Sequence, residues 1–224
     1  MGMPSGLFLD GEPWVDWSWV STHIPTILGY LGQHVEFTAI SLAGGIIISV
    51  PLGVAAQRRP GLRLPLLGAF GTFYTIPSLA FFALMIPYTG ISDLTALIPL
   101  TLYNVLILLR NVIVGLDEVP ADVLDAADGM GYRPFARLVR IELPLALPAM
   151  LAGLRVATVS TIGIITIAAV IALGGLGELI YEGFIESFRT PLVVGMALCV
   201  ALALVADVSL AGVKRLVVPW ARSG

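Results

Sequence analysis

Five apolar stretches, each long enough to cross a bilayer, constrain this chain more than any other feature. Residues 37–56 carry no formal charge and are followed by Arg58 and Arg59; residues 64–92 are equally uncharged but are interrupted by Pro65, Pro77 and Pro87. Residues 94–116, 145–173 and 192–213 follow as further apolar segments. A helix needs about 20 apolar residues to cross the hydrocarbon, and a chain in lipid must satisfy its backbone internally. The five stretches therefore read as spanning helices of an all-α polytopic membrane protein. Composition agrees, since 58% of the 224 residues are hydrophobic and 12% charged, about half the usual charged share of a soluble domain.

The expected organisation is an N-terminal periplasmic or interfacial segment (1–34), a transmembrane domain (35–216) containing a polar loop (117–144), and a short tail (217–224). Residues 17–35 also lack formal charge, but His23, Pro25, Gly29, Gly32, Gln33 and His34 make a poor hydrocarbon helix. With Trp14, Trp17 and Trp19 suited to the headgroup level, this stretch reads as interfacial. Cytoplasmic loops are enriched in Lys and Arg. Five spans with the N-terminus outside put every one of the twelve basic residues, Arg189 excepted, on the cytoplasmic side. The tail, with Arg222, is then cytoplasmic, and Asp10, Glu12, Asp16, Asp93, Glu178, Glu182 and Glu186 lie outside. No basic region precedes Asp10, so no secretory signal is expected.

Several functions are excluded. A net charge of −3 offers no clustered cations for nucleic acid. Lys214, the single lysine, lies between Val213 and Arg215, so the Gly-Lys-Ser/Thr of a P-loop is missing and this chain does not bind ATP by that motif. His23, His34 and Cys199 have no metal-ligand spacing, and no metal site or catalytic residue is expected. Glu36, Arg110, Arg155 and Asp207 fall near the expected ends of spans. Packing and snorkelling to the interface account for them better than a proton path does.

The loop 117–144 has readable punctuation. Pro120 suits the first turn of a helix, Asp122 and Asp125 sit near the positive end of its dipole, and Gly129 or Gly131 takes the left-handed conformation that ends it. Leu124, Ala127 and Met130 form a narrow apolar side. Pro134 opens a second helix, with Phe135, Leu138 and Val139 on one face, lasting until Pro144 and Pro148.

Here the sequence resembles the inner-membrane permease subunits of ATP-binding-cassette importers. Their signature reads Glu-Ala-Ala, three residues, Gly, nine residues, Ile-x-Leu-Pro. Asp125 replaces the glutamate, while Ala126, Ala127, Gly131, Ile141, Leu143 and Pro144 match at the correct spacing. The resemblance implies that the short helix is a coupling helix docking on an ATPase subunit, with Asp122, Asp125, Ala126, Ala127, Met130, Gly131 and Tyr132 as its contact residues. It further implies a second permease subunit, two ATPase subunits holding ATP and Mg, an extracytoplasmic binding protein, and residence in a bacterial inner membrane. The chain itself is then no enzyme and holds no cofactor.

The second span, bent by proline, is the expected pore lining, through Phe73, Tyr74, Pro77, Ser78 and Phe81. Gly174, Gly175 and Gly177 are expected to break the fourth span near the outer face, and the acidic segment with Glu178, Glu182 and Glu186 to form a short external helix or re-entrant turn, the candidate contact for a binding protein. Thr75 to Ala80, the Arg110-Asn111 pair and the glycine run are similar to permeases for compatible solutes such as glycine betaine, choline and carnitine. Rings along an uncharged path suit a quaternary ammonium. Permeases for methionine or another small amino acid share the five-span plan. A passive channel or ion-coupled carrier is the rival of another class, for which inverted repeats and buried titratable pairs are lacking.

Overall fold

The computed structural model describes residues 13–219, and among these every regular element is helical. In chain order the α-helices are α1 (Trp17–Arg58), α2 (Arg63–Thr75), α3 (Ser78–Thr89), α4 (Asp93–Asp117), α5 (Ala121–Gly129), α6 (Pro134–Arg137), α7 (Leu143–Ile165), α8 (Leu176–Ile185) and α9 (Arg189–Val217). A π-helical turn, Leu138–Glu142, joins α6 to α7, and the 3-10 turn Thr166–Ile171 continues α7. Four stretches are long and apolar enough to cross a membrane: α1, α4, α9 and the continuous run Pro134–Ile171. The pair α2 and α3, bent sharply at Ile76 and Pro77, is a fifth if counted as one broken span. Asp10, Glu12, Arg222 and the end of the tail lie outside the described residues.

The N-terminal stretch departs from expectation. Residues 17–35 are not a separate element, because α1 runs unbroken for 42 residues, about 63 Å at 1.5 Å per residue and roughly twice a hydrocarbon core. The boundary expected at 34/35 falls inside it. Asp16 explains the start. Its carboxylate accepts hydrogen bonds from the Ser18 N–H (2.8 Å), the Ser18 hydroxyl (2.6 Å) and the Trp19 N–H (3.3 Å), as an N-cap should. Those bonds hold the Asp16 carboxyl below its ordinary 3.8. In the turns before Pro25, Trp19 stacks on His23 and the Ser21 and Thr22 hydroxyls bond to the Ser18 carbonyl.

The chain divides into two compact units. Of the described residues, the first takes 13–41, 77–100 and 160–205; there Phe37, Phe82, Leu100 and Ile165 form one buried cluster, while Ile27, Leu176 and Leu179 form another with Trp19, Leu31 and Val194. In the second (42–76, 101–159 and 206–219), Leu108, Leu109, Val112, Ile113 and Leu116 of α4 supply the centre. Lipid tails are as apolar as leucine, so such helices associate through close packing more than through escape from water. Small residues permit it: a Cβ on Gly115 would fall 2.6 Å from the Ala146 carbonyl, and one on Gly153 2.5 Å from the Asn111 side chain.

Two further expectations are corrected. The helix from Pro134 does not stop at Pro144 and Pro148 but continues to Ile165. The reason is the π turn, in which the Leu143 N–H reaches the Leu138 carbonyl, so that Pro144 enters where the i→i−4 ladder is already shifted. Arg155 and Asp207, read from the sequence as separate residues with no titratable pair between spans, are partners. They form a bidentate pair, with N···O distances of 2.8 and 2.7 Å, within the second unit. A half-buried titratable pair is therefore present between helices.

Candidate functional site

Pro120 stands just ahead of α5 in an extended conformation, and the helix proper begins at Ala121 with Asp122 in its first turn. At the other end the Tyr132 N–H donates to the Ala127 carbonyl (3.1 Å) and the Gly131 N–H to Asp128 (2.9 Å). These 6→1 and 5→2 bonds are a Schellman motif with Gly131 at its left-handed position, φ +78°. Of the two candidate glycines, Gly131 is the one that stops the helix.

Charged contacts then fix this short helix. Asp128 pairs with Arg137, whose Nε donates to Glu142 at 2.9 Å. Glu142, 4% exposed, also faces Arg58 at 3.7 Å, and Arg58 donates to the Pro134 carbonyl at 3.3 Å. Arg63 pairs with Asp117 where the loop leaves α4. The end of α1, the loop and the start of α7 are thus joined through a buried carboxylate. Glu142 occupies the unspecified position of the Ile-x-Leu-Pro signature. Its burial is invisible in sequence, although an acid two residues after Arg140 in an apolar context was the available signal.

Side chains on α5 face two ways. Ala127 is fully buried and seats the helix, whereas Asp122, Asp125, Ala126 and Gly131 are exposed and Tyr132 is half-buried. Met130 does not join the buried side with Ala127; it is 69% exposed, as Phe135 nearby is at 76%. The outward surface is therefore acidic with apolar elements.

The expected pore residues are dispersed. Phe73 and Tyr74 are exposed on α2, Pro77 precedes α3 and Ser78 begins it, and Phe81 is buried at 3% exposure. Within the second unit an open groove of about 680 Å³ lies between α2 and α4, lined by Gly71, Thr72, Tyr74, Thr75, Arg110 and Asn111 among others. Tyr74 meets Tyr103 edge to face at 5.7 Å, and the Tyr103 hydroxyl donates to the Ile76 carbonyl at 2.7 Å, satisfying a carbonyl that the helix break frees.

In the first unit Ala172 and Gly175 adopt positive φ and lead into α8. His34, wholly buried, bridges this turn: its Nε2 donates to the Ile162 carbonyl (3.1 Å) and its Nδ1 accepts from the Leu176 N–H (3.3 Å). Glu178 accepts from the Gly174 N–H at 2.8 Å and Glu182 from the Tyr30 hydroxyl at 3.0 Å, while Glu186 is exposed. Burial pushes the Glu178 carboxyl above its ordinary 4.5, with the Glu182 charge adding to the shift and the Gly174 bond opposing it.

Several apolar spans, a Schellman-capped helix clamped in the loop between two of them, and no regular element apart from helices among the described residues define a polytopic membrane protein. Residues 26–223 match the family model described as the binding-protein-dependent transport system inner membrane component. The chain belongs to that family and is a multi-pass inner-membrane permease. It is 40% identical over 188 residues to the osmoprotectant import permease protein OsmW of Salmonella typhimurium, covering 80% of this chain and 87% of that one. It is 34% identical over 208 residues to the glycine betaine/carnitine/choline transport system permease protein OpuCB of Bacillus subtilis, covering 92% and 95%. An inward-facing structure of the MetNI methionine ABC transporter shares the fold, with a TM-score of 0.76, 24% identity, and coverage of 85% of this chain and 95% of the other.

Proposed function

We propose that this chain is the permease subunit of an ATP-driven importer and forms part of the translocation path for a compatible solute such as glycine betaine, choline or carnitine. It works with a second permease subunit, two ATPase subunits that hold ATP and Mg, and an extracytoplasmic binding protein. Its N-terminus faces outward and its C-terminus the cytoplasm. The names of relatives that match over most of both chains support the solute class. The observation that carries the mechanism is the clamp of Asp128, Arg137, Glu142 and Arg58.

A two-turn helix fixed at both ends moves as a rigid body, so a push received on its exposed surface reaches the spans instead of being absorbed by a slack loop. Asp122, Asp125, Ala126, Met130, Gly131 and Tyr132 belong to the docking segment, and Ala127 seats it. On the opposite side of the membrane, Glu178, Glu182 and Glu186 of the α8 region meet the binding protein. Phe73, Tyr74, Pro77, Ser78 and Phe81 belong to the path or its gate.

Purification from native membranes in mild detergent, with mass spectrometry of what accompanies the chain, tests this reading. An accompanying ATPase whose hydrolysis in vesicles is stimulated by solute-loaded binding protein is the expected result. Solute flux by this chain alone without ATP would reject it in favour of a channel or carrier, and stimulation by methionine alone would reject the solute class.

A further inference from the structure

We propose that the groove between α2 and α4 is a solute subsite selective for zwitterions, in which Arg110 holds a carboxylate and the Tyr74 ring faces a quaternary ammonium. The inference rests on the compatible-solute reading above and narrows it to solutes bearing both charges.

Arg110 lies about two turns before the end of α4, inside a stretch long and apolar enough to span a membrane. Arg63, Arg137 and Arg155 are each paired with a carboxylate, whereas Arg110 has no ion-pair partner among the described residues. Two turns is within snorkelling reach of the interface, so its place in the span is not enough; what sets Arg110 apart is that it lines the groove with no carboxylate of the described residues beside it. Its planar fork of donors matches the two oxygens of a carboxylate.

The threonine and asparagine side chains of the groove are already engaged. Thr72 and Thr75 donate to carbonyls of their own helix, at 3.0 and 2.7 Å, and the Asn111 amide donates to the Ile107 carbonyl at 2.8 Å. Arg110 is therefore the cationic lining group with donors to spare. Tyr74, held edge-on by Tyr103, keeps a ring exposed on the same groove, and ring faces attract quaternary ammonium groups. Along the α2 wall, Cβ atoms added at Gly68 or Gly71 would meet nothing within 4 Å, so that wall is open to a solute of several carbons. A partly exposed site of this kind binds weakly, as a path that must also release its cargo requires.

The test uses the complete importer in vesicles with one and the same binding protein, comparing uptake of glycine betaine with uptake of choline, which keeps the ammonium but lacks the carboxylate. Arg110→Gln should lower glycine betaine uptake about tenfold relative to choline, the loss expected for a charged hydrogen-bond pair. Arg110→Lys should recover part of it, and Tyr74→Ala should lower both solutes. Equal loss for both solutes with Arg110→Gln, or no loss for either, would overturn the proposal by making Arg110 structural or idle.

A second measurement avoids variants. Phenylglyoxal labelling of Arg110 in the wild-type complex, read by mass spectrometry, should be slowed by glycine betaine and not by choline at the same concentration. Slowing by both or by neither overturns the proposal, and slowing that follows the anionic-lipid content of the vesicle instead would assign the groove to a headgroup. A wild-type complex that moves neither solute with ATP would reject the solute reading itself, a result separable from all of these.

Discussion

The loop around α5 and the turn before α8 solve the same problem by opposite means. Each ends one helix, passes through a glycine at positive φ and starts another, yet the first is tied by ion pairs and the second by hydrogen bonds to His34 and Glu178. Around α5, Arg137 bridges Asp128 and Glu142 while Arg58 closes the set. Before α8, a buried histidine takes one bond on each ring nitrogen, and Gly175 lets the chain pass directly over it. Ion pairs are inexpensive where water reaches their rim and costly where it does not. On the proposed coupling role, the α5 loop acts as a lever tied by ion pairs, whereas the α8 turn is a packed joint.

Breaking the packed joint should do the most damage. A Cβ on Gly175 would lie 2.9 Å from His34 at φ +52°, so Gly175→Val combines overpacking with left-handed strain and should destabilise by about 3 kcal/mol or more. Thermal denaturation in detergent should show a large loss of melting temperature, with uptake falling in proportion to the folded fraction. Unchanged melting would mean that the joint is loose.

Removing the carboxylate at the centre of the lever comes next. Glu142→Gln should cost about 2 kcal/mol, less than for a fully buried pair because Arg58 and Arg137 keep contact with water. Its distinguishing effect is on coupling: uptake should fall about tenfold while ATP hydrolysis persists. Gly131→Val is smaller in stability, about 1–2 kcal/mol of left-handed strain, and should also reduce uptake while leaving the chain inserted. Parallel loss of uptake and hydrolysis in both variants would point to misassembly instead.

The smallest effect concerns pH. Because burial raises the Glu178 carboxyl above its ordinary 4.5, the folded state holds that proton more tightly than the unfolded chain. Its contribution is fully present below 4.5 and is lost as pH rises through the folded value. The wild type should therefore lose a little stability over that interval, and Glu178→Gln should flatten the pH dependence of melting there. An unchanged slope would show that Glu178 titrates as an ordinary exposed acid.

The comparison also explains what could be read from the sequence. The α5 loop was legible because its signals are local: Pro120 and Pro134 mark starts and the glycines at 129 and 131 mark a stop, although only the structure assigns it to Gly131. The spans α4 and α9 were legible from apolar length, bounded by Asp93 and Asp117 and by Arg189 and Lys214. The first half of α1 was not, because its helix rests on partners far along the chain. Tyr30 bonds to Glu182, and His34 to Ile162 and Leu176. Long-range ties likewise concealed the Arg155–Asp207 pair and the burial of Glu142. The passage through Pro144 depended on a π turn that no single residue announces.

The central claim, that α5 delivers the motion of an ATPase to the spans, is tested most directly by cross-linking. Ala126 is exposed and Ala127 beside it is buried, so Ala126→Cys in a Cys199→Ala background gives a reporter on the outward surface alone. The account requires that this position cross-link specifically to the ATPase subunit, with a yield that changes between nucleotide-free and ATP-bound complex, and that Ala127→Cys remain unreactive. Absence of any cross-link in an assembled, transporting complex, or equal reaction at both positions, would contradict it.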